Sequence, residues 1–160
     1  MEVRVVNHRQ RGYSLTEVLL VLAVLAIVLA VSIPAMTQFM RSYTARVGAD
    51  EFVSHMRLAR HLAIARHTPV DFTVNADSYS LPDWAAGNLA TAPARTFDLP
   101  GTVSVVSGTG TVTFRPDGTV SAGAGNIRLE IAINGDLTGR YDIDVSSAGK
   151  VSATYSKVSS

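Results

Sequence analysis

The feature that most constrains this chain is an uninterrupted apolar run from Val18 to Val31, preceded directly by one acid, Glu17. Its 14 strictly apolar residues fall short of the roughly 20 that a helix needs to cross a hydrocarbon core, so a secretory signal h-region is one reading. Extending the segment from Tyr13 to Met36 reaches spanning length but places Glu17 inside it. An ionised carboxylate in lipid is costly unless it reaches the interface or finds a partner, and a signal peptide gains nothing from one. A plainer alternative puts Glu17 at the headgroup edge, one turn into a helix whose positive N-terminus favours it. Ala30-Val31-Ser32 also leaves open an ordinary signal-peptidase cut, releasing a secreted periplasmic protein that begins near Ile33.

The residues before the run narrow the choice. Arg11-Gly12-Tyr13-Ser14-Leu15-Thr16-Glu17 and the apolar stretch after it resemble the class III signal of type IV pilins and type II secretion pseudopilins. That signal is a short basic leader, a glycine, an aromatic, Ser/Thr and Leu, then Glu five residues after the cut. The resemblance implies that a prepilin peptidase cleaves after Gly12 and that Tyr13, where the family usually has Phe, becomes the N-methylated first residue. It also implies that Glu17 pairs with the N-terminal amine of a neighbouring subunit in a filament. Such a pair in a low dielectric sets register more than it adds stability. Arg4, Arg9 and Arg11 fit this topology, since basic residues hold a leader on the cytoplasmic side. Pro34 removes a backbone hydrogen bond within the helix and is expected to kink it or melt it locally rather than end it.

Beyond Pro34, Phe39, Tyr43, Val47, Phe52, Met56, Ala59 and Ala63 recur every three to five residues and predict an amphipathic helix. Arg41, Arg46, Asp50, Arg57, Arg60 and Arg66 are assigned to its opposite face. Thr68-Pro69 should stop it, giving one long bent helix over 13–67. The pattern then changes to short β-branched runs: Val70–Val74, Arg95–Leu99, Thr102–Val106, Thr111–Arg115, Asn126–Ile133, Gly139–Val145 and Lys150–Tyr155. Pro116-Asp117-Gly118, Asn134-Gly135-Asp136 and Ala148-Gly149-Lys150 supply hairpin turns. The Ala- and Pro-rich stretch 80–95 matches no pattern.

The second half resembles the family that joins type II secretion minor pseudopilin H with FimT-like minor pilins. The resemblance rests on 58–66 before Pro69-Val70, on Val112-Thr113-Phe114-Arg115-Pro116-Asp117-Gly118, and on Ile143-Asp144-Val145-Ser146 with Gly149-Lys150-Val151. The expected fold class is α+β: a long N-terminal helix, half transmembrane and half amphipathic, packed on a C-terminal antiparallel β domain, the pilin fold. Four segments follow: a removable leader 1–12, a transmembrane and filament-core helix 13–36, an amphipathic helix 37–67, and a β-rich periplasmic domain 68–160. The resemblance implies a minor pseudopilin that helps assemble or cap a secretion pseudopilus, with a minor type IV pilin for pilus biogenesis or DNA uptake as the alternative. Its implied partners are other pilin or pseudopilin subunits, a prepilin peptidase, an inner-membrane assembly platform and the inner membrane, crossed once, with the domain in the periplasm.

Catalytic chemistry finds no support in the sequence. With no cysteine, the chain has no thiolate nucleophile or thiolate metal site. His55, His61 and His67 are six apart, so successive rings rotate by about 240° on a helix and cannot share a metal; solvated or filament-facing histidines are expected. Asp142 and Asp144 alternate onto one strand face, where Ca²⁺ with Asp136 or a plain polar face would explain them. Gly108 and Gly110 read as a turn because no lysine or helix follows, and Trp84 reads as a plug closing the core. No enzyme activity, cofactor or metal is expected.

The net charge of +1 comes from the leader; without it, 11 basic face 12 acidic residues. Arg128, Arg140, Lys150 and Lys157 are the candidate DNA contacts. Residues 67–160, however, carry six basic against nine acidic side chains. Nucleic acid is therefore not an expected partner at physiological salt.

Overall fold

The computed structural model describes residues 13–123, 125–133 and 135–158, with backbone alone at Val31, Pro34 and Ala35. The leader, the Gly12 cut and Asn134 of one expected turn lie outside the described residues. The chain divides into two compact units at residue 38. Helix α1, Leu15–Arg66, contributes to both.

In the first unit α1 starts at Ser14, whose carbonyl accepts the N–H groups of Glu17 at 3.0 Å and Val18 at 3.2 Å. The Ser14 and Thr16 hydroxyls lie 2.8 Å apart. Glu17 thus falls in the first turn, where the helix dipole favours a carboxylate. The helical backbone continues through Pro34 without a break, so the proline does not end the helix. Among the described residues, no helix is long and apolar enough to cross a membrane. The continuous stretch of described apolar side chains stops at Ala30, and the spanning length expected for 13–36 draws on residues described only by their backbone.

In the second unit α1 packs on two antiparallel sheets. Strands β1 (Val70–Val74), β2 (Ser78–Pro82), β3 (Ala94–Asp98), β5 (Gly110–Phe114) and β6 (Val120–Ala122) form the first sheet. Strands β4 (Val103–Ser107), β7 (Gly125–Ile133), β8 (Asp136–Val145) and β9 (Val151–Lys157) form the second. Their orders are β3-β2-β1-β5-β6 and β4-β7-β8-β9. Of the three crossings between the sheets, the one from β4 to β5 runs through Gly108 and Thr109, within the expected turn. Val105 N–H donates to the Ala76 carbonyl and Leu99 N–H to the Asp77 carbonyl, both at 2.8 Å, binding β4 to the β1–β2 turn.

The strands alternate as half-buried strands should: Val70, Phe72 and Val74 are buried while Asp71 is exposed. Inward residues of both sheets and Ala45, Ala49, Phe52, Val53, Met56, Ala59 and Ala63 of α1 make one core. Small residues let the helix approach closely. A methyl group at Gly48 would sit 2.5 Å from the Pro100 ring.

Two expectations need correction. Phe39, Tyr43 and Val47 are not core: they are 63%, 58% and 45% exposed. The five-residue step from Val47 to Phe52 turns an α-helix by about 140°, so the proposed stripe changes face there. The assigned charged face is also not simply solvated. Arg46, Arg57 and Arg60 all reach the β domain, as hydrogen bonds to Tyr155, Val151 and Gly118 show.

Candidate assembly surface

Two apolar surfaces are left uncovered, one on each unit. In the first, Leu15, Val18, Leu19, Leu22, Leu25 and Leu29 are all exposed. Tyr13 is exposed at the start of this segment, and Glu17 opens the helix below it. In the second, Phe39, Met40, Tyr43 and Val47 are exposed on α1, with the Phe39 and Tyr43 rings stacked at 6.5 Å. Isolated exposed apolar residues need no explanation, but contiguous ones of this size mark an interaction surface.

A junction visible in the sequence only as two separate turns ties α1 to the β domain. Arg60 extends from α1 and donates through Nε to the Gly118 carbonyl at 2.9 Å. Its Nη2 lies 3.5 Å from the Ala148 carbonyl. Val120 N–H donates to the Ser147 carbonyl at 2.9 Å, so the β5–β6 and β8–β9 turns meet under one arginine. In the first turn Asp117 caps Thr119, accepting its N–H at 2.9 Å and its hydroxyl at 2.6 Å. These hydrogen bonds hold the Asp117 carboxyl below its usual range.

The histidines separate into three roles. His55 is the correction: it is half-buried, its Nδ1 hydrogen-bonded to the Tyr79 hydroxyl at 2.7 Å, with the Phe97 ring 4.5 Å and the Trp84 ring 5.9 Å away. The aromatic side chains of β2 and β3 recruit it because α1 presents position 55 on the flank of the Phe52 face. His61 is exposed. His67, at φ 49°, forms the left-handed helix end, with Thr68 N–H returning to the Ala63 carbonyl at 3.3 Å. Trp84 does close the core edge, stacked on Phe97 with Arg95 4.9 Å above its ring.

Burial, then the Glu51 carboxylate, pushes the Tyr79 phenol far above its ordinary value of 10.0. A phenol that stays protonated in the fold and ionises when unfolded contributes stability below the ordinary value, and that stability is lost as pH rises beyond it. Melting temperature should therefore fall steeply above about pH 10, and Tyr79→Phe should flatten that fall. Equal alkaline slopes for the two proteins would contradict the assignment.

The four candidate DNA contacts do not assemble into a patch. Arg128 Nε donates to Asp142 at 2.8 Å and Arg140 Nη2 to Glu130 at 3.3 Å, so both are paired across β7 and β8. Lys150 and Lys157 stand at opposite ends of β9. Asp142 is thereby engaged away from Asp144. Among the described residues no group of three His, Cys, Asp or Glu is placed to hold a metal.

Residues 48–149 match the family described as Type II transport protein GspH. Residues 7–33 match the prokaryotic N-terminal methylation motif. The fold is similar to that of the type IV minor pilin FimU of Pseudomonas aeruginosa strain PAO1 in two crystal forms. One gives a TM-score of 0.51 at 21% identity over 68% of this chain and 91% of that one. The other gives 0.54 at 20% identity over 72% and 92%. No curated protein matches.

Proposed function

The chain belongs to the GspH family of type II transport proteins and carries a prepilin-type methylation motif, and we propose from that premise that it is a minor pseudopilin. In this reading it is non-catalytic, is anchored once in the inner membrane, and enters a periplasm-spanning pseudopilus, helping to initiate or cap it. The observation that carries the reading is the methylation motif running directly into a helix with exposed apolar side chains and Glu17 in its first turn. Such a surface requires lipid before assembly and neighbouring helices after it. Prepilin peptidase and an inner-membrane assembly platform are the partners this route requires.

A minor type IV pilin is the second reading, favoured by the likeness in fold to a type IV minor pilin. Deletion of the gene separates the two. The secretion role predicts that exported enzymes accumulate in the periplasm while surface pili and twitching are retained. Lost piliation with normal secretion would move the protein to the pilus.

A further inference from the structure

On the globular unit a groove of about 280 Å³ opens between α1 and the end of the second sheet where β7, β8 and β9 meet. Ile133 and the edge of the buried Ile131 contribute apolar surface, while Arg46 and Lys157 supply two cations and Ser42, Thr138 and Tyr155 three hydroxyls. Among the described residues no carboxylate lines it. Asp50, one turn further along α1, acts instead on the Tyr141 hydroxyl, which burial and this acid hold above its ordinary range.

The principal cation is held in place. The Arg46 guanidinium lies 4.9 Å over the Tyr155 ring, and its Nη2 donates to the Tyr155 hydroxyl at 3.3 Å. Tyr155 itself rests against Tyr141 at 5.0 Å between ring centres. Stacking of this kind fixes a guanidinium plane and leaves its remaining N–H groups to meet a phosphate through paired hydrogen bonds. Cations beside apolar carbon fit an amphiphilic anion better than an inorganic one: its phosphate would meet Arg46 and Lys157, and its adjoining carbons would cover Ile133.

We infer that this groove binds the phosphate headgroup of an anionic phospholipid. The inference rests on the membrane-anchored reading above, since Arg46 follows Met36 by only ten residues of chain, about 15 Å of helix rise, so that a tilt of the anchoring helix brings the groove onto the headgroup layer. Headgroup capture would hold the globular domain against the bilayer until the subunit is extracted into the filament.

The test uses the intact chain reconstituted in vesicles of phosphatidylcholine and phosphatidylglycerol in equal parts, the latter carrying a photoreactive group at its headgroup. Flotation reports anchoring, and mass spectrometry of cross-linked peptides reports capture. The expected result is cross-linking to peptides of β7–β9, reduced about fivefold by Lys157→Ala and by Arg46→Gln, with unchanged flotation and circular dichroism. Lys157 is exposed at a strand end, so its variant reads binding rather than folding. Flotation without groove cross-links, or cross-links indifferent to both substitutions, overturns this inference and leaves anchoring intact. Displacement of the lipid by inorganic phosphate at equal concentration would show a free-anion site and also overturn it. Failure to float overturns both readings.

Discussion

Replacing Gly149 with alanine is expected to cost about 3–5 kcal/mol, a large share of the roughly 5–15 kcal/mol that holds a domain of this size together. Gly149 sits at φ +74°, and a methyl group there would collide with the Gly118 carbonyl oxygen. A left-handed conformation alone costs an alanine about 1–2 kcal/mol. The collision adds more, because the oxygen it strikes is the one that accepts Arg60 Nε, and that nitrogen lies only 2.8 Å from the added carbon. Relieving the clash separates the two turns and leaves Arg60 without its main acceptor, a loss of about 1.5–3 kcal/mol for a charged donor. Urea denaturation followed by circular dichroism measures the change. Gly101→Ala is the control: it has an ordinary φ and nothing within 4 Å of the added carbon, so its midpoint should stay near that of the parent.

That junction shows what could and could not be read from the sequence. Pro116-Asp117-Gly118 and Ala148-Gly149-Lys150 are legible as turns because glycine and Asx chemistry is local. Their meeting under Arg60 is a tertiary fact with no local signature. The same division runs through the fold. Val70–Val74 is found at its observed bounds because its alternation is clean, and the other expected strands lie within a few residues of their places. β2 escapes the sequence reading because serine and proline are turn-forming residues, so Ser78, Ser80 and Pro82 mask a five-residue strand although Tyr79 and Leu81 alternate with them, and β6 escapes it because three residues carry no period. The helix was found to within two residues at its start and one at its end, but its buried face was assigned wrongly below Phe52. A periodicity tolerant of five-residue steps cannot hold phase, and Phe39 and Tyr43 are as apolar as the residues that are buried. On the candidate surface, Glu17 and the apolar run were legible because charge in a greasy segment is a strong signal. The partners of His55 and Arg46 were not, because they come from strands more than 20 residues away in the chain.

Glu17→Leu is expected to leave a folded, membrane-associated protein that no longer enters the filament. The substitution extends the apolar run and leaves the β domain untouched, so accumulation and the circular dichroism of the domain should match the parent. What it removes is the acid proposed to meet the N-terminal ammonium of a neighbour. Leaving one member of a buried ion pair without its partner costs about 3–5 kcal/mol, which corresponds to a loss on the order of a hundredfold or more in the packing equilibrium. Co-purification with other pilin-like subunits, compared with total membrane-bound protein, measures that loss directly. Glu17→Asp should recover part of it, because the charge returns on a shorter reach. Wild-type recovery of Glu17→Leu in the assembled fraction would show that the carboxylate serves only to start the helix, a role open to it at its place in the first turn.

The proposed assembly role depends on one chemical event, the release of the amine that Glu17 is proposed to need. Intact-mass and N-terminal peptide mass spectrometry of the protein recovered from its native membrane tests that event most directly. The expected chain begins at Tyr13 with a methylated amino group and lacks residues 1–12. A chain beginning near Ile33, or one that keeps its leader through Gly12, would contradict it.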